Sequence, residues 1–312
     1  MRVLFTGASS FTGYWFVRTL CRAGHDVVAT FRRGPQDYAD VRALRVAEVL
    51  PACRPVFHCA FGDRSFLELV SAEAPWDMLC HHAADTTDYK SSEFNITAAV
   101  ENNTRNVAAV LSALRDGGCR KVLLTGSVFE KNEGAGSDGM RAFSPYGLSK
   151  GITEDIFRYY TDRYGLHLGK FVIPNPFGPY EDPRFTAYLM RTWSAGDVAT
   201  VKTPDYVRDN IHVSLLARAY AKFAQRLPNE PGFQKLNPNG YIESQGCFAE
   251  RFARSMRARL DLECRLEVAT QTEFSEPRVR VNTEPATAYV SDWDEVQAWD
   301  EVADYYRGSP HG

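Results

Sequence analysis

The chain has 312 residues, of which 44% are hydrophobic and 24% charged, with a formal net charge of −3. Those values are ordinary for a folded soluble protein, and with no run of Lys or Arg they give no sign of nucleic-acid affinity. No apolar segment is long enough to span a bilayer, and the seven cysteines are scattered, odd in number and free of any C-x-x-C pair. That pattern is expected of a reduced, cytoplasmic protein with buried thiols and no metal site.

Residues 1–5 hold one basic and several apolar residues and run directly into Thr6-Gly7-Ala8. They predict a buried strand, where a signal peptide would need a longer apolar core. Further short apolar runs at 26–30, 55–59, 78–82, 121–125 and 170–173 predict more strands. Helical patterns at 12–22, 98–115 and 148–164 separate them. Strand-helix alternation of this kind predicts an α/β fold built on a doubly wound parallel sheet. The pair Gly117-Gly118 marks a helix stop before the fifth run.

After Pro174 the texture changes: Pro174, Pro176, Pro179 and Pro183 break the alternation. The length suits a dinucleotide-binding domain with a smaller lobe attached. The expected division is a Rossmann-type domain over 1–173, with a returning segment at about 208–240. A smaller α/β C-terminal lobe for substrate is expected from 174–207 and 241–312.

The first chemical signal is Thr6-Gly7-Ala8-Ser9-Ser10-Phe11-Thr12-Gly13, lying between a predicted strand and a predicted helix. Gly7 suits a tight turn, Gly13 permits close helix–strand packing, and the helix N-terminus offers N–H groups to a pyrophosphate. The second is Ser144-Pro145-Tyr146-Gly147-Leu148-Ser149-Lys150, where Tyr146 and Lys150 fall on one helix face. A free tyrosine titrates near ~10, and a cation beside it favours the phenolate. Ser127, ending Thr125-Gly126-Ser127, sits at the C-terminal end of a predicted strand, where ligands bind in open α/β sheets.

Loop, serine, tyrosine and lysine in this order resemble the extended short-chain dehydrogenase/reductase family, the NAD(P)-dependent nucleotide-sugar epimerases, dehydratases and reductases. The loop resembles that family's T-G-x-x-G-x-x-G, with Ser10 at the middle glycine, where a side chain would either crowd the pyrophosphate or donate to it. The resemblance implies Ser127, Tyr146 and Lys150 as the catalytic set. It implies Gly7, Ser9, Ser10, Phe11, Gly13, Asp63 (in Gly62-Asp63) and Ala83 and Ala84 (in His82-Ala83-Ala84) as cofactor contacts, with Tyr146 and Lys150 also facing the cofactor. NAD-preferring relatives place a carboxylate near Phe31; here Arg32 and Arg33 follow instead. A guanidinium fork suits the 2′-phosphate of NADP(H), so NADP(H) is favoured and NAD(H) remains an alternative.

Three further segments resemble the family's substrate lobe: Asn175 in Asn175-Pro176-Phe177-Gly178-Pro179, Arg208 in Arg208-Asp209-Asn210-Ile211-His212-Val213, and Arg278 in Glu276-Pro277-Arg278-Val279-Arg280, with Arg280 second. Asn175, Arg208 and Arg278 would hold the diphosphate of a nucleotide-sugar, and Thr86 would face the sugar. Relatives commonly dimerise through two helices corresponding to 98–115 and 148–164, so a homodimer is expected. Where dehydratases place a glutamate, two residues after the catalytic hydroxyl, this chain has Phe129, with Glu130 one residue on. The expected reaction is therefore NADPH-dependent reduction of a 4-keto nucleotide-sugar with Tyr146 as proton donor. The alternative is a 4-epimerase that retains NAD. A non-catalytic NADP-binding sensor and a reductase of small aldehydes or ketones fit the motifs less well.

Overall fold

A computed structural model describes residues 1–137 and 139–308. The chain divides into two compact units. The first comprises Met1–Glu133, Met140–Ile173 and Ala217–Asn237. The second comprises Gly134–Gly139, Pro174–Leu216 and Pro238–Gly312, with position 138 and the last four positions outside the described residues.

The first unit is built on a sheet of seven strands, all parallel. In spatial order these are Gly232–Leu236, His167–Ile173, Lys121–Ser127, Met78–His81, Arg2–Thr6, Asp26–Thr30 and Arg54–Val56. The inner strands are buried on both faces, which is why they read as continuous apolar runs. From Arg2–Thr6 the order runs outward in both directions, so the chain reverses between that strand and Met78–His81. Ligands bind outside the carboxyl ends of strands at such a point. The core on one side of the sheet gathers Leu79, Val110, Leu111, Leu114, Val122 and Phe157. On the other side Phe16 stacks on Tyr220 at 4.0 Å.

Two expectations need correction. The predicted helix 98–115 is two helices, Ile96–Thr104 and Val107–Asp116. Between them Asn106 takes a left-handed φ of 50° and its amide donates to Gly62 O at 2.8 Å. Gly62 lies so close that a Cβ there would sit 1.8 Å from Arg105 O, so the chain must turn where it passes Gly62. The returning segment is Ala217–Asn237, shorter than 208–240. Residues of the strand Val207–His212 instead pair with Tyr241–Ser244, Val279–Val281 and Asn175–Phe177 in a second, five-stranded sheet. Its remaining strand, Ala135–Gly136, comes from within the span expected to be Rossmann domain. The second unit's core is aromatic, with Phe177, Trp193, Phe248, Phe252 and Trp299 packed together.

Candidate active site

The strand Arg2–Thr6 ends at Gly7, whose φ is +86°. A Cβ on Gly7 would lie 2.7 Å from Ala83 N, and one on Gly13 would lie 2.2 Å from Gly7 O. Both glycines are therefore fixed by close backbone approach. Ser10 caps the helix Phe11–Arg22: its Oγ accepts from Gly13 N–H at 3.1 Å and donates to Gly7 O at 2.9 Å. The Ser10 hydroxyl is thus turned into the protein. Among the described residues the N–H groups of Phe11 and Thr12 have no acceptor. Two free amides at the start of a 12-residue helix, at the point where strand order reverses, fit an anionic pyrophosphate.

Below this loop, at the end of the strand Met78–His81, lie two buried histidines, His81 and His82. Each ring uses both nitrogens. His81 Nδ1 meets the Thr6 hydroxyl at 3.0 Å and Nε2 meets Asn103 O at 3.1 Å. A carbonyl only accepts, so Nε2 carries the hydrogen and Nδ1 accepts from Thr6. His82 Nε2 meets Ser10 Oγ at 3.0 Å and Thr12 Oγ1 at 3.1 Å, while Nδ1 meets Thr125 Oγ1 at 2.9 Å. Burial, aided by the Lys150 cation, pulls both imidazoles down to about 3, so they stay neutral. Ala83 follows, its N–H donating to Thr6 Oγ1 at 3.1 Å, and Ala84 is half-buried beside it.

At the exit of the second strand Phe31 is buried against Phe57, while Arg32 and Arg33 are exposed and have no partner among the described residues. Asp63 begins the helix Arg64–Ala72 and is ion-paired with Arg105 at 2.7 Å. Ser9 is half-buried within the loop turn, and Thr86 is exposed in the turn after the fourth strand.

Ser127 closes the strand Lys121–Ser127 and its Oγ accepts from Phe129 N–H at 3.2 Å. Tyr146 is the second residue of the helix Pro145–Tyr164, which starts with a proline and is capped by Ser144 accepting from Gly147 N–H at 3.0 Å. A Cβ on Gly147 would fall 2.1 Å from Phe129 O, so the helix start is pressed onto the turn that follows Ser127. Phe129 packs edge-on to the Tyr146 ring at 6.3 Å, joined by Tyr89 at 5.5 Å and Phe94 at 6.0 Å. The structure thus brings the Ser127 turn and Tyr146 together, within an aromatic surround that the sequence reading missed.

Lys150, one turn further along, is only 4% exposed. Burial pulls its pKa down to about 8, with the Glu130 charge opposing that fall and the Lys170 cation adding to it. Glu130 is fully buried: one carboxylate oxygen accepts from Ser127 N–H at 2.6 Å and the other lies 2.6 Å from Lys170 Nζ. Lys170 also pairs with Glu133 at 2.8 Å and Glu154 at 3.1 Å. Burial alone would lower the Lys170 pKa; the three carboxylates outweigh it and hold it above the ordinary lysine value. Glu130 is therefore locked into the protein, and Phe129 carries no acid-base group. The visible signal for this cluster was a lysine inside an apolar strand, 170–173.

The second unit holds the other residues singled out. Asn175 pairs in register with Asn210. Arg208 donates to the carbonyls of Val207, Pro277 and Arg278 at 3.0–3.2 Å, pairs with Glu276 at 3.0 Å, and lies over the Tyr206 ring at 4.4 Å. Arg278 is exposed over Phe274 at 5.2 Å, whereas Arg280, in register with Arg208, is 1% exposed.

A parallel sheet with a glycine loop at its reversal point, and a Tyr–Lys helix seated on a strand-end serine, define a dinucleotide-dependent α/β enzyme. The model of the NAD dependent epimerase/dehydratase family matches residues 3–237, and the chain belongs to that family. The fold is similar to UDP-glucuronic acid 4-epimerase from Bacillus cereus, solved with NAD, at 16% identity and TM-score 0.77, covering 98% of this chain and 99% of that one. It is also similar to UDP-glucose 4-epimerase from Bifidobacterium longum, solved with NAD+ and UDP, at 18% identity and TM-score 0.75, covering 100% of both chains. A dTDP-glucose 4,6-dehydratase from Streptomyces venezuelae, with NAD bound, is 18% identical at TM-score 0.72, covering 98% of this chain and 97% of that one. No curated protein sequence matches the chain significantly. Among the described residues no helix is long and apolar enough to cross a membrane.

Proposed function

We propose that the protein is a nucleotide-sugar 4-epimerase that retains its dinucleotide, oxidising and re-reducing C4 of the sugar. The observation that carries the acid-base chemistry is the seating of Tyr146 and Lys150 on the Ser127 turn, with Gly147 against Phe129. Its support is the family, together with full-length likeness to two 4-epimerases. The NADPH-dependent reductase expected from the sequence has less support, since the similar structures carry NAD.

When bound, the dinucleotide supplies a redox partner for C4. Tyr146 takes the proton of the C4 hydroxyl and returns it. Lys150, buried and titrating near 8, favours the phenolate by its charge. Ser127 holds the sugar oxygen. Phe11, with Thr12, offers backbone N–H groups to the pyrophosphate, Gly7, Ser9, Ser10 and Gly13 shape the loop around it, and Asp63, Ala83 and Ala84 line the cofactor. Thr86 faces the sugar, and Asn175, Arg208 and Arg278 hold the diphosphate, which would take the place of Glu276 on Arg208. A dehydratase needs a further carboxyl group free to act at C5 and C6, and Glu130 is already committed to Lys170 and Ser127.

A second reading, the 4-keto reductase, is favoured by one observation: Arg32 and Arg33 are exposed, without partners among the described residues, where a 2′-phosphate of NADP(H) would lie. The protein as purified should contain nicotinamide and interconvert UDP- or dTDP-hexose 4-epimers without added cofactor. Tyr146→Phe should lower that rate by ~10²–10⁴-fold with nucleotide still bound. NADPH consumption with 4-keto nucleotide-sugars, and no epimer interconversion, would replace the first reading by the second.

We also propose a homodimer. A groove of about 520 Å³ lined mainly by Val107, Ile152, Ile156, Tyr159 and Tyr160, with Thr104 and Asp155, opens on the two helical regions expected to pair, and its apolar part suits a second copy's side chains. Seven free cysteines suit a reducing cytoplasm.

A further inference from the structure

We propose that His82 is the positioning residue that allows this chain to carry a serine at the middle position of its phosphate loop. That position ordinarily belongs to glycine so that backbone can approach the pyrophosphate. A serine placed there has a hydroxyl that must be held away from the helix N-terminus.

Hydrogen bonds hold it there on every side. The Ser10 hydroxyl has one hydrogen, and this goes to Gly7 O at 2.9 Å. Its oxygen accepts from Gly13 N–H at 3.1 Å, leaving one lone pair, which faces His82 Nε2 at 3.0 Å. Nε2 must then carry the imidazole hydrogen, so Nδ1 is the acceptor and takes the Thr125 hydroxyl hydrogen at 2.9 Å. The ring is wedged in place by Phe16, edge-on at 5.2 Å, and lies 2.9 Å from where a Cβ on Gly13 would be. One neutral side chain therefore fixes the Ser10 rotamer, touches Thr12 in the first helical turn, and ties both to the strand that ends at Ser127. Without the imidazole, Ser10 Oγ loses a partner and can turn toward the free N–H groups of Phe11 and Thr12, which the pyrophosphate needs. A glycine at position 10 requires no such restraint, so the roles of the two positions are coupled.

The proposal rests on the dinucleotide site and not on the sugar chemistry. Its test is the dissociation constant for NAD(H) and NADP(H), read by calorimetry, with the Tm of cofactor-free protein measured alongside. His82→Leu should weaken the preferred dinucleotide by about 10-fold, the worth of one hydrogen bond. Ser10→Gly alone sets the background affinity against which His82→Leu is read a second time. Combining Ser10→Gly with His82→Leu should restore most of the affinity, although the lowered Tm persists. If His82→Leu does not fold, His82→Gln, which keeps an N–H donor, is compared with Thr125→Val, which removes the opposite tether; weaker binding in the second only supports the proposal. Parental affinity in His82→Leu, or a double variant no tighter than the single one, overturns it: the histidine is then a core residue only. If the parent protein binds neither dinucleotide, the loop reading fails and this proposal with it, whereas binding without epimer interconversion overturns only the proposed reaction.

Discussion

Gly147 offers the sharpest test of how the catalytic helix is placed. It is buried at the start of the helix Pro145–Tyr164, next to Tyr146. A Cβ there would lie 2.1 Å from Phe129 O and 2.7 Å from Phe129 C, and ordinary contact begins at 3.4 Å. In Gly147→Ala the helix start and the Ser127–Glu130 turn must separate by roughly 1.3 Å, the difference between 3.4 and 2.1 Å, because the obstructing atoms are backbone. A misplacement of about 1 Å can cost on the order of 10²-fold in rate. Overpacking of this kind costs ~1–3 kcal/mol of stability. The expected result is a kcat lower by about 10²-fold with cofactor affinity unchanged. Gly151→Ala, on the same helix, is the control: its Cβ would meet nothing within 4 Å. It should keep parental kcat and gain ~0.5–1 kcal/mol from removing a mid-helix glycine. Parental kcat in Gly147→Ala, measured by epimer interconversion, would refute the idea that this contact sets the distance between Tyr146 and Ser127.

Arg32→Ala should weaken NADP(H) by ~10-fold or more and leave NAD(H) nearly unchanged, as titration of both will show; equal losses for the two would remove Arg32 from a 2′-phosphate role. Asp209 is fully buried and accepts from Gly240 N–H at 2.8 Å and Asn282 N–H at 3.3 Å, and burial raises its pKa to about 7 against these bonds. The folded state thus holds a proton that the unfolded state gives up near ~4, so the stability it lends is present at low pH and lost as pH rises through 7. Asp209→Asn should gain in Tm relative to the parent between pH 5 and pH 8, and a pH-independent difference would show that Asp209 does not titrate there. Ile152→Lys, in the apolar groove, should convert a dimer to monomer by light scattering.

The inner strands were legible because strands buried on both faces of a parallel sheet must be apolar throughout. The edge strand Gly232–Leu236 was not, since its middle residues are exposed and polar. The break between Ile96–Thr104 and Val107–Asp116 depends on Gly62, more than 40 residues away, whose crowding against Arg105 leaves no local periodic trace. The second sheet was illegible for a related reason. Val279–Val281 is three residues long and Ala135–Gly136 two, and their partners are remote in sequence. The Tyr146–Lys150 spacing, by contrast, is local, and a helix enforces it. The histidines show what a motif hides: Cys80-His81-His82 reads as a strand end, but which ring reaches which hydroxyl is decided by four segments, at Thr6, Ser10, Asn103 and Thr125.

The reaction class illustrates why a reading of cofactor preference does not by itself fix the reaction. The sequence argument for a reductase ran in two steps: Arg32 and Arg33 favour NADP(H), and NADP(H) favours single-use reduction. Only the first step is physical. A guanidinium pair past the second strand would act on a ribose phosphate of the cofactor, which says nothing of the chemistry at sugar C4. What separates epimerase from reductase is whether the oxidised sugar can present its other face before it leaves, and whether the cofactor is held through both half-reactions. The proposed Tyr146–Lys150 pair would serve either course, since it would move one proton at one oxygen. The deciding residues are then those that hold the cofactor in place and those that hold the nucleotide while the sugar turns. On the proposed reading these are the loop braced by His82 and the Arg208 strand, so measured cofactor retention discriminates between the two reactions more directly than cofactor preference does.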